Sequence, residues 1–170
     1  MPQKLLRRFL KDKEARALLG QVPERFRLEV ERIFGTKPDV EVMETESAKI
    51  FLVNGKPLLA ETAGKVFPTL FFNDLVASVP KVVVDMGAVP YVCKGANVMA
   101  PGIRRIDGEF GKGDFVFVAD EKHGKVLALG KAMFDVDEAR RAKQGAVIEN
   151  VHFVGDRLWN LLKEHLMKAR

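Results

Sequence analysis

The spacing of apolar residues changes near residue 40, and this change most constrains what the chain can fold into. From Leu5 to Leu19 apolar side chains recur at spacings of three, four and eight with basic residues between them, which is typical of an amphipathic helix with a basic side. Pro23 and Gly35 bracket a second segment of helical spacing, which predicts a helix of about twelve residues. After Val40 the period becomes two, as in strands. The sequence therefore predicts an α+β fold.

A tight hairpin is predicted where two apolar runs flank the dipeptide Asn54-Gly55, because these residues readily adopt the positive φ angles of a two-residue turn. Pro57 lies in the second of these strands. Since proline cannot donate a ladder hydrogen bond, we expect this strand at the edge of its sheet. The tract 77–80 is our predicted boundary, so residues 1–78 form a small N-terminal α+β domain.

The second predicted domain, residues 79–170, is rich in short apolar runs separated by glycine and proline. This pattern is typical of a small β-barrel. A short helix is predicted after Asp85, ending at Gly95, where glycine fits a left-handed cap. Two further helices are predicted at residues 137–143 and 156–167.

Composition limits the class of protein without naming a function. With 170 residues the chain is long enough for one large or two small domains, and no uncharged stretch exceeds nine residues, so no membrane span is expected. The net charge of +5 permits nucleic-acid binding but does not require it. A single cysteine fits a reducing cytoplasm, where we expect the protein to act. Few Asn and Gln among many Lys, Glu and Arg indicate a heat-adapted source.

Motifs for several kinds of catalysis are missing. None of the Gly-Lys pairs is followed by the Ser or Thr of a nucleotide-triphosphate loop, and neither serine lies in a nucleophile-elbow context. Three isolated histidines and one cysteine cannot build a cysteine-rich zinc site. We therefore expect no catalytic residue, no metal and no cofactor, and a small enzyme is the least favoured alternative.

Three remaining groups of polar residues each allow a structural and a functional interpretation. His152 lies in a strand-like run, which favours a hydrogen-bonded structural imidazole. Cys93 stands beside Lys94, which could lower the thiol pKa, but its apolar neighbours favour a buried structural thiol. The acidic residues within 135–138 could bind a cation, yet they also fit the start of a short helix, which we favour.

The stretch 84–105 carries the most chemistry. Three glycines bracket its short helix and the strand that follows, and without side chains they let a phosphodiester backbone approach the main chain: Gly87, Gly95 and Gly102. Counter-charge beside them comes from three basic residues, Lys94, Arg104 and Arg105. That the glycines only form turns is an equally good interpretation of the spacing alone.

Four sequence blocks in this half resemble the PUA domain, an RNA-binding pseudobarrel. The blocks are DMGA at 85–88, GANVMAPG at 95–102, KGDFVFV at 112–118 and ALGKA at 128–132. Further blocks at 53–59, 67–70, 145–153 and 158–159 extend the resemblance over nearly the whole chain. They are similar to the malignant-T-cell-amplified-sequence proteins and the N-terminal region of ligatin. This resemblance implies a pre-PUA domain followed by PUA, and we expect an archaeal member of the family.

The resemblance implies an RNA-binding surface on the glycine-bracketed helix and the strand after it. The residues carried over are Gly87, Lys94, Gly95, Asn97, Gly102, Arg104 and Arg105. Lys131, on a later apolar strand, is expected as a secondary phosphate contact. A second basic face on the predicted first helix, with Arg7, Arg8 and Lys11, could meet ribosomal RNA, although a solvated helix face is the simpler interpretation. No predicted strand carries the aromatic platform that stacks single-stranded bases.

The function implied by the resemblance is non-catalytic. Members of that family act on the small ribosomal subunit, with the PUA domain near the acceptor end of tRNA, together with a partner that carries an initiation-factor-one-like domain. We therefore expect a translation-associated protein that binds tRNA and small-subunit rRNA. An RNA-binding accessory subunit of a tRNA- or rRNA-modifying enzyme is the first alternative, and a protein-interaction module without RNA binding is the second.

Overall fold

The computed structural model describes residues 6–75 and 78–168. The chain divides into two compact units, one ending at residue 75 and one starting at residue 76. Each unit combines helices with a mainly antiparallel sheet, which confirms the α+β prediction. No helix in the described ranges is long and apolar enough to cross a membrane.

The N-terminal unit is a five-stranded antiparallel meander with two helices. Its elements are β1 (Leu6–Phe9), α1 (Asp12–Leu19), α2 (Glu24–Phe34), β2 (Val40–Glu44), β3 (Lys49–Val53), β4 (Lys56–Thr62) and β5 (Lys65–Pro68). The strands pair in chain order from β1 to β5. Each helix buries one apolar side, with Leu18 and Leu19 on α1 and Phe26 and Val30 on α2.

The predicted first helix is wrong over its N-terminal half. Residues Leu6 to Phe9 form β1, which pairs with β2 so that Leu6 lies opposite Glu44 and Phe9 opposite Glu41, and α1 begins only at Asp12. Leu5 lies outside the described residues. Pairing with a distant strand satisfies backbone groups that the helical spacing alone could not take into account.

The Asn54-Gly55 hairpin is confirmed, with φ of 48° and 85° at its two residues. The expected edge position of the second strand is wrong, because β4 lies between β3 and β5. Pro57 pairs with Leu52 where the register shifts after Phe51. An irregularity of this kind accommodates a proline inside a sheet, since the regular ladder is already interrupted there.

The C-terminal unit is built on a curled six-stranded sheet. Its elements are β6 (Lys81–Val84), α3 (Val89–Val92), β7 (Val98–Met99), β8 (Ile103–Asp107), β9 (Phe115–Asp120), β10 (Val126–Ala132), α4 (Val136–Arg141), β11 (Ala146–Phe153) and α5 (Arg157–Lys168). The strand order is β7-β11-β10-β9-β6-β8, with β6 and β9 parallel. The two outer strands are joined by one 3₁₀ turn, Ala100–Gly102, so the sheet must curl until its edges meet.

The interior of this curled sheet is filled by small and branched side chains. Val82, Val118, Ala128 and Ile148, from four different strands, are almost fully buried in one cluster. Its α3, α4 and α5 correspond to the three helices predicted for this half of the chain. At α4 the Asp135 carboxylate accepts the N–H of residue 138 at 2.9 Å, which supports the helix-start interpretation of the acidic residues.

Candidate nucleic-acid interface

The glycine-bracketed helix is a short helical turn pinned at its start. The Asp85 carboxylate accepts the Ala88 N–H at 2.8 Å, and the Asp85 N–H donates to the Gly102 carbonyl oxygen at 2.9 Å. Further helical bonds lead through α3, where the Cys93 N–H donates to the Val89 carbonyl oxygen at 3.0 Å. The backbone of this segment is therefore fixed by the protein itself.

One side of this helical turn faces solvent, and we call it the α3 face. Val92 is buried in the core and Val89 packs against it, whereas four of the exposed positions follow the spacing i, i+3, i+4 and i+7 that is typical of one helical side. The α3 face consists of Gly87, Pro90, Tyr91 and Lys94. Two of the predicted RNA-binding residues thus share a surface with a proline and a tyrosine.

The bracketing glycines have different structural reasons. Gly95 has φ of 96°, and a Cβ atom there would lie 3.1 Å from the Phe153 ring. A Cβ at Gly102 would lie 3.2 Å from the Ala88 Cβ. A Cβ at Gly87 would meet only an Asp85 carboxylate oxygen at 3.4 Å, an ordinary contact, and the φ of Gly87 is not left-handed. Backbone geometry and packing therefore explain Gly95 and Gly102 but not Gly87.

Asn97 connects the loop after α3 to β11. Its side-chain oxygen accepts the Asn150 N–H at 3.0 Å, while the Asn150 amide nitrogen donates to the Val92 and Ala96 carbonyl oxygens, each at 3.0 Å. Asn97 is exposed, so a contact with RNA and this internal bond are compatible. The pair holds the end of the helical turn against the sheet.

Both predicted arginines are exposed and ion-paired on the protein. Arg104 Nε lies 3.0 Å from Glu121 Oε2, and Arg105 Nε lies 3.1 Å from Asp107 Oδ2. The register between β6 and β8 shifts around Arg104, and such irregularities re-aim side chains. Exposed pairs contribute little to stability, about 0–1 kcal/mol, so an RNA phosphate can compete for either arginine.

The two predicted lysines lie on different elements. Lys94 is exposed on the α3 face, and Lys131 is half-buried on β10, opposite Glu149 of β11. The preceding Gly130 is fixed by packing, since a Cβ there would overlap Ile148 Cγ2. Because α3 packs against β10, Lys131 belongs to a strand that adjoins the helical turn.

The loop between β9 and β10 adds basic residues that sequence reasoning missed. The Glu121 N–H donates to the Val84 carbonyl oxygen at 3.0 Å, which brings the start of this loop beside Asp85. Burial raises the pKa of the Cys93 thiol, and the charge of Lys125 opposes this shift. The Asp120 carboxylate orders the loop by accepting the N–H of His123 and, at 3.1 Å, the N–H of Lys125. These bonds hold the pKa of Asp120 below the usual value. The charge of this loop is visible in the sequence, but its place beside α3 is not.

The second predicted basic face differs from the expectation. Arg7 and Arg8 lie on β1 and Lys11 directly before α1, not together along one helix. Arg7 makes two hydrogen bonds to Glu41, at 2.8 and 3.0 Å, and Arg8 makes two to Glu14. Hydrogen bonding to these carboxylates raises the pKa of both arginines. Arg7 and Arg8 are thus each paired with a carboxylate, so an RNA phosphate would have to compete for them as it would for Arg104 and Arg105.

Comparisons with known proteins match both units. A model of the PUA domain matches residues 80–154, and a model described as a domain of unknown function, DUF1947, matches residues 6–73. An uncharacterized protein of Methanocaldococcus jannaschii is 38% identical over 91% of this chain and 95% of its own length. Malignant T-cell-amplified sequence 1 of Danio rerio is 33% identical over 68% of this chain and 67% of its own length.

The chain belongs to the malignant-T-cell-amplified-sequence family of PUA-domain proteins. Translation machinery-associated protein 20 of Saccharomyces cerevisiae is 28% identical, with 79% of each chain covered. The crystal structure of a hypothetical protein from the hyperthermophilic archaeon Pyrococcus horikoshii superposes with a TM-score of 0.76 at 32% identity, covering 92% of this chain and 99% of that one. These archaeal relatives agree with the archaeal, heat-adapted source indicated by the sequence.

All eight primary candidates lie inside the PUA domain, residues 80–154, whereas the secondary basic residues lie in the DUF1947 region. The structural interpretation of His152 is confirmed, because the imidazole is fully buried and its Nδ1 lies 2.8 Å from Asp156 Oδ2. Burial raises the pKa of the Cys93 thiol, which agrees with a structural rather than a reactive cysteine. In the described part of the chain, no group of three or more metal-ligating side chains comes together.

Proposed function

We propose that this protein is a non-catalytic RNA-binding factor of translation that works at the small ribosomal subunit and binds the acceptor end of tRNA through its PUA domain. The α3 face supplies the contact, with Lys94 beside a main chain that Gly87 leaves uncovered. Asn97, Arg104, Arg105 and, as a secondary contact, Lys131 surround this face in the proposal. The family and its translation-associated relatives support the same function.

One observation carries the proposal: Gly87 has no structural reason to be glycine. A backbone without a side chain at an exposed, rigid position lets a phosphate approach closely. Lys94, exposed seven residues further along the chain, provides counter-charge for the next phosphate. Recognition of this kind depends on the backbone and on the shape of an RNA end, and it requires no duplex groove.

The mechanism that follows is positioning. The PUA domain holds the end of the tRNA, while the DUF1947 region docks on the small subunit or on a protein with an initiation-factor-one-like domain. The reaction chemistry belongs to the ribosome and its other factors, so the protein needs neither a cofactor nor a metal.

Binding of purified protein to deacylated tRNA, with and without the 3′ CCA end, tests the acceptor-end contact. If about five phosphates are neutralised, log K falls against log[salt] with a slope of about −4. Lys94→Glu should weaken binding and make this slope shallower by about one. Lys65→Glu, at the exposed first position of β5, is the matched control and should bind like the wild type. Equal affinity for tRNA with and without CCA would contradict the proposal.

Recovery of the tagged protein from its source cells tests the place of action. Co-purification with 30S particles supports the small-subunit function, and loss of that recovery after Lys94→Glu ties it to the α3 face. Stable recovery with an RNA-modifying enzyme, and not with 30S particles, would replace the proposal with the accessory-subunit alternative.

A further inference from the structure

Tyr91 is the most solvent-exposed large apolar side chain of the described C-terminal unit, with 68% of its surface accessible. It is the only tyrosine of the chain. Exposing an aromatic side chain to this extent gives up most of the stabilisation that burial would provide. The ring therefore contributes little to the stability of the core. Its exposure indicates a contact with another molecule.

The backbone that carries this ring is held rigidly. The Tyr91 N–H donates to the Ala88 carbonyl oxygen at 3.1 Å, and the Tyr91 carbonyl oxygen accepts the N–H groups of Lys94 at 3.1 Å and Ala96 at 3.0 Å. The ring thus starts from a fixed Cα in the middle of the α3 face. A rigid aromatic residue binds a ligand at a low cost in conformational entropy.

The position of Tyr91 between the two polar features of this face indicates its ligand. Gly87 lies four residues before it and Lys94 three residues after it, and all three are exposed, at the spacing of residues on one side of a helical turn. A sugar-phosphate backbone that follows Gly87 and Lys94 brings its bases to the apolar surface between them. Met86, 40% exposed, adds a second apolar side chain to this end of the turn.

We infer that Tyr91 stacks an unpaired nucleobase at the single-stranded 3′ end of the bound RNA. This inference rests on the proposed function and names the part of the RNA that the α3 face selects. A base inside a duplex has both faces covered by its neighbours, so an exposed ring discriminates in favour of a single-stranded end. Stacking tolerates any base, because every base has a π face. Tyr91 lies on a helical turn, so the aromatic content of the predicted strands does not reveal it.

The test combines a change in the protein with a change in the RNA. Tyr91→Ala should weaken binding of tRNA ending in CCA by roughly 5- to 100-fold, the range for loss of one stacked base, whereas Tyr91→Phe should retain most of the affinity. Replacing the 3′-terminal nucleotides one at a time by abasic residues should weaken the wild type at one position and leave Tyr91→Ala unaffected there. Phe134→Ala, at a 37% exposed aromatic of the same unit, is the control and should bind normally.

Failure of this inference and failure of the proposed function give different results. If the wild type binds tRNA in a CCA- and Lys94-dependent way while Tyr91→Ala binds equally well, the stacking role is refuted and the proposed function stands. If the wild type does not bind tRNA, a short single-stranded RNA containing 2-aminopurine becomes the probe. Quenching of its fluorescence by the wild type but not by Tyr91→Ala supports stacking on another RNA end, and equal signals refute it.

Discussion

Replacing Gly87 by alanine separates contact with RNA from folding. The added methyl group meets only a carboxylate oxygen of Asp85 at 3.4 Å, and the backbone does not require glycine there. The free energy of unfolding should therefore stay within about 0.5 kcal/mol of the wild type or rise slightly, because alanine restricts the unfolded chain. In the complex the same methyl group would hold a phosphate away from the main chain.

The expected loss of binding follows from the contact that is blocked. A hydrogen bond to a charged group contributes about 1.5–3 kcal/mol, and partial retention at a longer distance leaves a loss of about 1–2 kcal/mol, or roughly 5- to 30-fold in Kd. Thermal denaturation and tRNA binding at fixed salt measure both quantities on one preparation. A Gly87→Ala protein with normal stability and normal affinity would refute the idea that Gly87 serves close approach of RNA.

Three further changes test the surrounding structure. Gly130→Ala should lower the free energy of unfolding in denaturant by about 3 kcal/mol or more, because its methyl group would overlap Ile148 Cγ2. A loss below about 1 kcal/mol would contradict this packing. Glu121→Gln releases Arg104 and should tighten tRNA binding roughly twofold to fivefold at low salt, and unchanged affinity would place Arg104 outside the interface. Asp156→Asn should lower the free energy of unfolding by about 2 kcal/mol at pH 7. Burial raises the pKa of the Asp156 carboxyl, but the hydrogen bond and charge interaction with His152 lower it overall. The stabilisation by Asp156 is therefore present above about pH 4 and disappears as the pH falls through the lowered pKa. A difference in unfolding free energy between wild type and variant that stays constant from pH 7 to pH 2 would contradict this assignment.

Local signals predicted most elements of the fold, and distant pairing decided where prediction failed. Asn54 and Gly55 determine their hairpin through their own φ angles, so two residues suffice to predict it. β1 carries helical spacing, but its backbone groups pair with β2, more than thirty residues away. Pro57 led to the wrong prediction of an edge strand. Neither the register shift beside it nor the pairing of β4 with β5 can be read from the sequence.

The candidate site shows the same division at the level of side chains. The helical turn of α3 was predictable because its glycines and proline act within ten residues of one another. The carboxylates that pair with Arg7 and Arg104 come from other strands and loops, so counting basic residues overestimated the free positive charge. Lys125 was missed for the opposite reason, since only the folded sheet brings the β9–β10 loop beside the end of β6, where the Glu121 N–H donates to the Val84 carbonyl oxygen.

RNA binding by the proposed surface should depend less on charge than the sequence suggested. In the proposed complex Arg104 and Arg105 would exchange a carboxylate for a phosphate, which reduces the gain from each contact. Lys94 is exposed near an uncovered backbone and an aromatic ring. Such a surface gains affinity from close approach and stacking as well as from released counterions. Its binding to a single-stranded RNA end should therefore persist at salt concentrations that abolish its binding to a duplex of equal length. A duplex that bound as tightly as the single-stranded end throughout a salt titration would show that charge alone drives binding.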